Sequence, residues 1–336
     1  MKALVTGAAG FIGSTFVRVL LEDASGGARP EVVVLDKLTY AGRRENLQDV
    51  EDRITFVEGS IEERDTVREA MAGCDAVVNF AAESHVDRSI ADQDAFARTH
   101  LIGTSVLLDA ARDHGVGRFL QVSTDEVYGS IERGSFTETS PLNPSSPYSA
   151  TKAAGDLLVS AHVHTYGIEG IICRGSNNYG PRQYPEKLIP LCVLNALAGD
   201  SLPVYGDGHQ VRNWLYVEDF ARAILLALER GLPGEVYNVG GPDETANIDV
   251  VRRILALTDR DEALIEYVTD RPGHDRRYSL SSSKIRELGW EPSRRFSEGL
   301  AQTVEWYRGN EWWWAPIRSG EYRDYYERQY GRRLGG

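Results

Sequence analysis

Ala3-Leu4-Val5-Thr6-Gly7-Ala8-Ala9-Gly10-Phe11-Ile12-Gly13 decides the fold. Ala3 to Val5 is a short apolar run of the kind that fills a buried strand. Gly7, Gly10 and Gly13 then form a G-x-x-G-x-x-G turn, and from Ile12 the apolar residues Ile12, Phe16, Val19 and Leu20 recur at helical spacing. A glycine-rich turn between strand and helix lets the backbone bend sharply and approach a pyrophosphate. The free N–H groups of the helix N-terminus then meet that negative charge. Such a turn alone also serves simply to join a strand to a helix.

The next strand sharpens the reading. Val32 to Leu35 ends at Asp36, a carboxylate placed to accept hydrogen bonds from both hydroxyls of an adenosine ribose and to repel a 2′-phosphate. NAD is therefore expected over NADP, with the adjacent Lys37 softening the preference. Further strand-like runs follow at Ile54 to Val57, Ala76 to Phe80 and Phe119 to Val122, separated by helical patterns. Strands alternating with helices make a parallel α/β sheet, and right-handed crossovers make it a doubly wound, Rossmann-type one. After Gly180-Pro181 the pattern changes, with strand-like pieces at Leu202 to Tyr205 and Val236 to Val239 and helices at Val217 to Arg230, Ile248 to Thr258 and Ser297 to Tyr307. Residues 1–180 are read as the dinucleotide-binding domain and 181–336 as a smaller mixed α/β substrate lobe, with segments of each free to cross over. The aromatic stretch from Trp312 to Arg333 is expected to be a terminal helix packed on the body.

Composition limits the function. The chain has 336 residues, 42% of them apolar and 26% charged, the proportions of a globular protein. No apolar run reaches the roughly 18 residues that span a bilayer. A net charge of −13 argues against nucleic acid or an anionic membrane as partner. Cys74, Cys173 and Cys192 lie too far apart for a zinc site or a disulfide framework, so no metal is expected and a cytoplasmic location is.

Two motifs carry chemistry. Tyr148 and Lys152 stand four residues apart in Pro147-Tyr148-Ser149-Ala150-Thr151-Lys152, on one face of a helix. An ammonium there is expected to lower the phenol's pKa and make it a base near neutral pH. Upstream, Ser123-Thr124-Asp125-Glu126-Val127-Tyr128-Gly129 follows the fifth strand, whose C-terminal end faces the ligand crevice in such a sheet. Two adjacent acids at that edge suit an acid–base pair.

Taken with Asp36 to Gly42, Ala81 to Ser89, Ser176 to Pro181, Pro185 to Pro190 and Arg271 to Tyr278, these stretches resemble the extended short-chain dehydrogenase/reductase family. Within it the chain is similar to the dTDP-glucose 4,6-dehydratases, over nearly its whole length and in order. The resemblance implies that Tyr148, with Thr124 and Lys152, takes the proton of the sugar C4 hydroxyl. Glu126 then removes the C5 proton and Asp125 protonates the departing C6 hydroxyl. It places NAD on Gly7, Gly10, Phe11, Ile12, Gly13, Asp36, Lys37, Thr39, Ser60, Ile61, Ala81, Ala82, Ser84, Thr99, Tyr148, Lys152 and Asn178. It places a nucleotide sugar on His85, Thr124, Asn177, Lys187, Leu188, Pro203, Tyr205, Arg212, Asn247, Arg271 and His274, whose cations offset the acidic whole. A homodimer is implied as well, through the helix after Ser89 and the one bearing Tyr148, with Leu101, Val106, Leu107, Leu157 and Leu158 as candidate contacts. The chain departs from the family pattern at Ser60, His100 and Ser281. A 4-epimerase and a UDP-glucuronate decarboxylase share the scaffold and remain alternatives, and a non-catalytic NAD-binding regulator is a reading from another class.

Overall fold

A computed structural model describes residues 1–23 and 29–318. The first part of the chain runs β1 (Lys2–Thr6), α1 (Phe11–Glu22), β2 (Glu31–Asp36), β3 (Ile54–Glu58), α2 (Arg64–Met71), β4 (Ala76–Asn79), α3 (Val86–Ala91), α4 (Asp94–Ala97), α5 (Thr104–His114), β5 (Arg118–Thr124), α6 (Pro147–Tyr166) and β6 (Gly170–Gly175). The remainder adds β7 (Asn177–Tyr179), α7 (Leu188–Ala198), β8 (Leu202–Tyr205), β9 (Val211–Tyr216), α8 (Val217–Arg230), β10 (Val236–Val239), β11 (Asp243–Ala246), α9 (Asn247–Leu257), β12 (Ile265–Val268), α10 (Ser283–Glu287), α11 (Phe296–Gly309) and α12 (Glu311–Arg318).

Seven parallel strands form the main sheet in the order β10-β6-β5-β4-β1-β2-β3. Val32 to Leu35 are buried on both faces, which is why β2 reads as an unbroken apolar run rather than an alternating one. On one face Phe16, Val17 and Leu20 of α1 pack with Ile224 and Leu228 of α8 against Val5, Val34 and Val78. On the other, Leu107 and Ala111 of α5 and Val159 of α6 cover Leu4, Val33, Val77 and Phe119. Helices thus cover both faces, as expected of a doubly wound sheet.

The division at residue 180 is crossed in both directions. β10 and α8 come from the second half yet complete the main sheet and its covering layer. β7 precedes residue 180 yet joins β9 and β11 in a three-stranded sheet of the smaller lobe. That lobe also holds the parallel pair β8 and β12, and its core gathers Ile189, Val193, Ile254, Leu300, Tyr307 and Trp313. Trp313 is buried on α12, as a terminal aromatic helix requires; the expected remainder of that helix, 319–333, lies outside the described residues.

Three local devices position the site. Gly7 has φ +65, and a Cβ there would stand 2.5 Å from the Ala81 nitrogen, so the turn after β1 tolerates no side chain. α6 opens with a reciprocal cap: Ser146 Oγ accepts from Ser149 N while Ser149 Oγ accepts from Ser146 N, both at 3.1 Å, with Pro147 in the first turn. Between α4 and α5 the helix widens to a π-turn at Arg98–Gly103, which turns Thr99 toward the cleft. Replacing Gly7 by alanine is expected to lower stability by at least about 1 kcal/mol, checked by chemical denaturation. The neighbouring Ala8→Gly change, made at a residue without that conformation, is expected to cost less.

Candidate active site

At the C-terminal edge of the main sheet, the chain turns one way after β1 and the other after β4, opening a crevice between the lobes. Gly7, Gly10, Phe11, Ile12, Gly13, Asp36, Lys37, Thr39, Ile61, Ala81, Ala82, Ser84, Thr99, Asn178, Tyr148 and Lys152 line it together. Ser60 does not. Its hydroxyl accepts from Glu62 N at 3.2 Å and so closes a local turn, leaving the flanking Gly59 and Ile61 to face the crevice.

The atoms at this end fit a dinucleotide. Gly10 caps α1 without a side-chain hydrogen bond, so the first-turn N–H groups are left for an anion. Asp36 is 8% exposed, its two carboxylate oxygens accepting from Ala9 N and Leu38 N at 2.9 Å. Burial raises its pKa while those two hydrogen bonds oppose the rise. Lys37 is drawn to Glu83 at 3.3 Å and Glu62 at 3.9 Å. It therefore does less to welcome a 2′-phosphate than its place in the sequence allows.

Thr124 ends β5 and caps a 3₁₀ turn over Asp125–Tyr128, its hydroxyl accepting from Glu126 N at 3.2 Å. The hydroxyl also donates to Asp125 Oδ1 at 3.2 Å, while Asp125 Oδ2 is buried with no hydrogen-bond partner. Asp125 is 2% exposed, and burial, reinforced by the Glu126 charge, pushes its pKa up to about 8. Burial raises Glu126 too, but Arg271, Lys187 and Arg212 pull it back toward the ionised form. Glu126 stays raised on balance, but Asp125 is raised the further, so of the two neighbours Asp125 is the one that keeps a proton.

Tyr148 corrects one expectation. Burial, then the Glu126 charge, raises its phenol well above the ordinary range, the Thr124 hydroxyl opposing. Lys152 does not offset this: its ammonium donates to the Val122 carbonyl at 2.6 Å, and burial pushes its own pKa down to about 8. In the protein alone Tyr148 is a phenol.

The residues expected to hold substrate do not all line the crevice. Thr124, Asn177 and Lys187 line the crevice, Lys187 donating to the Ser84 carbonyl. Arg271, Tyr205 and His274 cluster beside it: Arg271 pairs with Asp87 at 3.3 Å, Tyr205 donates to Asp87 at 2.9 Å, and His274 meets Asp270 at 2.6 Å. His85 is buried, and burial pushes its pKa down to about 4, as burial with Arg271 and Arg212 does for His274. Arg212 donates to the Asp275 carbonyl at 3.0 Å and lies over the Tyr278 ring. Leu188, Pro203 and Asn247 stand away from the crevice wall: Leu188 packs on the smaller lobe's core, Pro203 is buried in β8, and Asn247 begins α9.

Several lining residues escaped the sequence reading, among them Ser123, Ser176, Gln183, Tyr184 and Glu186. Ser123 was within reach, since it precedes Thr124 on a strand end. Glu186 lies inside the Pro185 to Pro190 motif, but its partners do not follow from it: its carboxylate accepts from Tyr40 at 2.8 Å and from Arg88 at 3.2 Å, both from distant segments.

A carboxyl whose pKa rises on folding loses stability as pH climbs from its ordinary value, 3.8, through its folded one, about 8. Asp125→Asn is therefore expected to raise the melting temperature relative to the native chain at pH about 8, with the gap narrowing toward pH about 4. Scanning calorimetry across that range checks it; a gap independent of pH would contradict the burial of an unpaired carboxyl.

Comparisons with known proteins agree with this geometry. Residues 4–303 match the family model described as GDP-mannose 4,6 dehydratase. A dTDP-glucose 4,6-dehydratase of Streptomyces niveus is 51% identical over 323 residues, covering 95% of this chain and 96% of the relative. The structure of DesIV, a dTDP-glucose 4,6-dehydratase from Streptomyces venezuelae with NAD and TYD bound, superposes with a TM-score of 0.92 at 52% identity, covering 94% of this chain and all of that one. A UDP-glucose 4-epimerase from Thermus thermophilus in complex with NAD superposes with a TM-score of 0.86 at 34% identity, covering 92% of this chain and 100% of that one. The chain belongs to the extended short-chain dehydrogenase/reductase family, within its dTDP-glucose 4,6-dehydratase branch.

Proposed function

We propose that this chain is a hydro-lyase that removes water from dTDP-glucose to give dTDP-4-keto-6-deoxy-glucose, with NAD as a cofactor that ends the cycle unchanged. The observation that carries this is the carboxyl pair: Asp125, with a pKa near 8, beside Glu126, which three cations pull toward ionisation. A dehydration across C5 and C6 needs a proton donor for the leaving hydroxyl and a base for the C5 proton, and the pair supplies both.

Bound at Gly7 to Gly13, Asp36 and Thr99, NAD would supply the redox chemistry that oxidises C4 and later reduces C6. The other steps belong to side chains of this chain. Tyr148, a phenol in the protein alone, would have to give up its proton once the positive charge of bound NAD stands beside it, and as the phenolate, with Thr124 next to it, would accept the C4 hydroxyl proton. The C4 ketone makes the C5 proton acidic enough for Glu126 to remove. Asp125 gives its proton to the C6 oxygen, which leaves as water; the proton held by Glu126 goes back to C5 as C6 is reduced, and the proton taken up at Tyr148 restores Asp125, so the sugar ends lighter by one water. Asp36 would hold the adenosine ribose and the α1 N-terminus the cofactor pyrophosphate. Lys187, Arg212 and Arg271 would meet the substrate diphosphate, for which guanidinium forks are suited. Epimerisation at C4 has no leaving group at C6, and decarboxylation of a uronate has none either. Neither reaction expels an oxygen that Asp125 would have to protonate; decarboxylation asks of an acid only a proton for C5.

We also place the chain in the cytoplasm and in a homodimer. Three buried, unpaired cysteines suit a reducing compartment. No helix of the described residues is long and apolar enough to cross a membrane. Support for the dimer comes from Ile102 and Leu157, 56% and 61% exposed on neighbouring helical segments. Val106 and Leu107, expected at the same contact, are instead buried against the sheet.

Incubation with dTDP-glucose should yield a product lighter by one water with no net reduction of NAD. Tyr148→Phe should lower turnover at least about 100-fold. Asp125→Asn should still exchange the C5 hydrogen with deuterated solvent while losing water release; a variant that dehydrates at the native rate would contradict the assignment. Leu157→Glu should shift sedimentation from dimer to monomer without unfolding the chain.

A further inference from the structure

The mechanism above leaves one buried charged pair on the catalytic helix unused. Tyr148, Lys152 and Asp156 are spaced four residues apart on α6 and share one face. Asp156 is 1% exposed; its Oδ2 accepts from Arg174 Nε at 2.8 Å, and its Oδ1 is buried with no hydrogen-bond partner. Arg174, on β6, also donates to the Tyr128 hydroxyl at 2.7 Å, and that hydroxyl donates to Asn238 at 2.9 Å. Tyr128 closes the 3₁₀ turn that bears Asp125 and Glu126. A continuous polar chain therefore runs from the helix of the proton-transfer pair to the turn of the elimination pair.

A buried ion pair seldom adds net stability, and apolar residues of the same volume often serve as well. The placement of this one is better explained by what its charge acts upon. A carboxylate oxygen without a hydrogen bond, in a medium of low dielectric, keeps most of its negative potential for nearby charges. Lys152 lies one helical turn away.

We infer that Asp156 is a positioning residue: held by Arg174, its carboxylate keeps Lys152 charged and ties that helix face to the Asp125–Glu126 turn. Burial lowers Lys152, and Asp156 is the group that opposes the fall. The same carboxylate adds to the burial, Glu126 and Asp125 effects that raise Tyr148. The other groups around this pair are His100 on the π-turn, which burial and the Lys152 charge hold neutral, and Arg174 on β6, whose charge Asp156 offsets. Removing a negative charge lowers the pKa of both Lys152 and Tyr148. Whichever of them shapes a limb of the pH–rate profile, that limb moves to lower pH.

The inference rests on assigning Tyr148 and Lys152 to proton transfer, so the test includes a reading that needs no turnover. The chain has five lysines, and in protein labelled with ¹³C-lysine the Lys152 Cε signal is identified by its loss in Lys152→Arg. Its titration is followed without substrate in the native chain, in Asp156→Asn and in Asp156→Asn/Arg174→Met, which leaves no lone buried guanidinium. Both variants should titrate at lower pH than the native chain, and the pH profile of kcat should move the same way by at least about half a unit. KM should stay within about twofold. Asp156→Glu should restore both readings. An unchanged Lys152 titration in the folded double variant would overturn the inference. Collapse of the double variant's fold would also overturn it, by making the pair purely structural. A shifted titration with an unmoved kcat profile would instead count against the roles given to Tyr148 and Lys152.

Discussion

Two neighbouring carboxyl groups taken out of water at the end of one strand cannot both keep their charge. That constraint organises the rest of the structure. Asp125 is buried with one oxygen unpartnered, and it escapes the penalty by keeping its proton. Glu126, at the crevice surface, is the member that Arg271, Lys187 and Arg212 favour as an anion. Folding therefore works against Asp125 as a carboxylate and keeps it protonated near neutral pH, at a cost in stability that the proposed chemistry would explain.

The scaffold keeps this asymmetry in place. β5 delivers Thr124 to the sheet edge, and the threonine cap fixes the turn that follows. The reciprocal serine cap does the same for α6, so Tyr148 and Lys152 enter the crevice from a rigid element. Cations come from the other lobe: Lys187 precedes α7, Arg212 lies on β9 and Arg271 follows β12. An acidic chain thus gathers positive potential where a diphosphate is expected, and the same potential separates the two carboxyls. Asp87 restrains Arg271 and Tyr205 across the lobes, joining the proposed substrate contacts to the first domain.

Much of this was legible because the chemistry sits at strand ends. Strand ends are read from hydrophobic runs that stop at a glycine, an aspartate or a threonine: Gly7 follows β1, Asp36 closes β2, and Thr124 closes β5 with Asp125 next. The crossing of residue 180 was less legible, since the run Val236 to Val239 carries no mark of the sheet it will join. Glu186 sits in the Pro185 to Pro190 motif, but it meets Tyr40 and Arg88 only through tertiary folding, and the motif does not name those partners. Spacing alone also misjudged the sign at Tyr148. Two residues on one helix face need not exchange charge when the ammonium is bound to the Val122 carbonyl and burial dominates both. Ser60 shows the converse, a serine at a motif position that spends its hydroxyl on its own turn.

The direct measurement is the protonation state of Asp125 itself. An infrared difference spectrum between the native chain and Asp125→Asn, taken near neutral pH, reads that one side chain. A protonated carboxyl band is expected in the native chain, absent in the variant and lost as pH rises through about 8. A spectrum showing only ionised carboxylate at that position near neutral pH would contradict it.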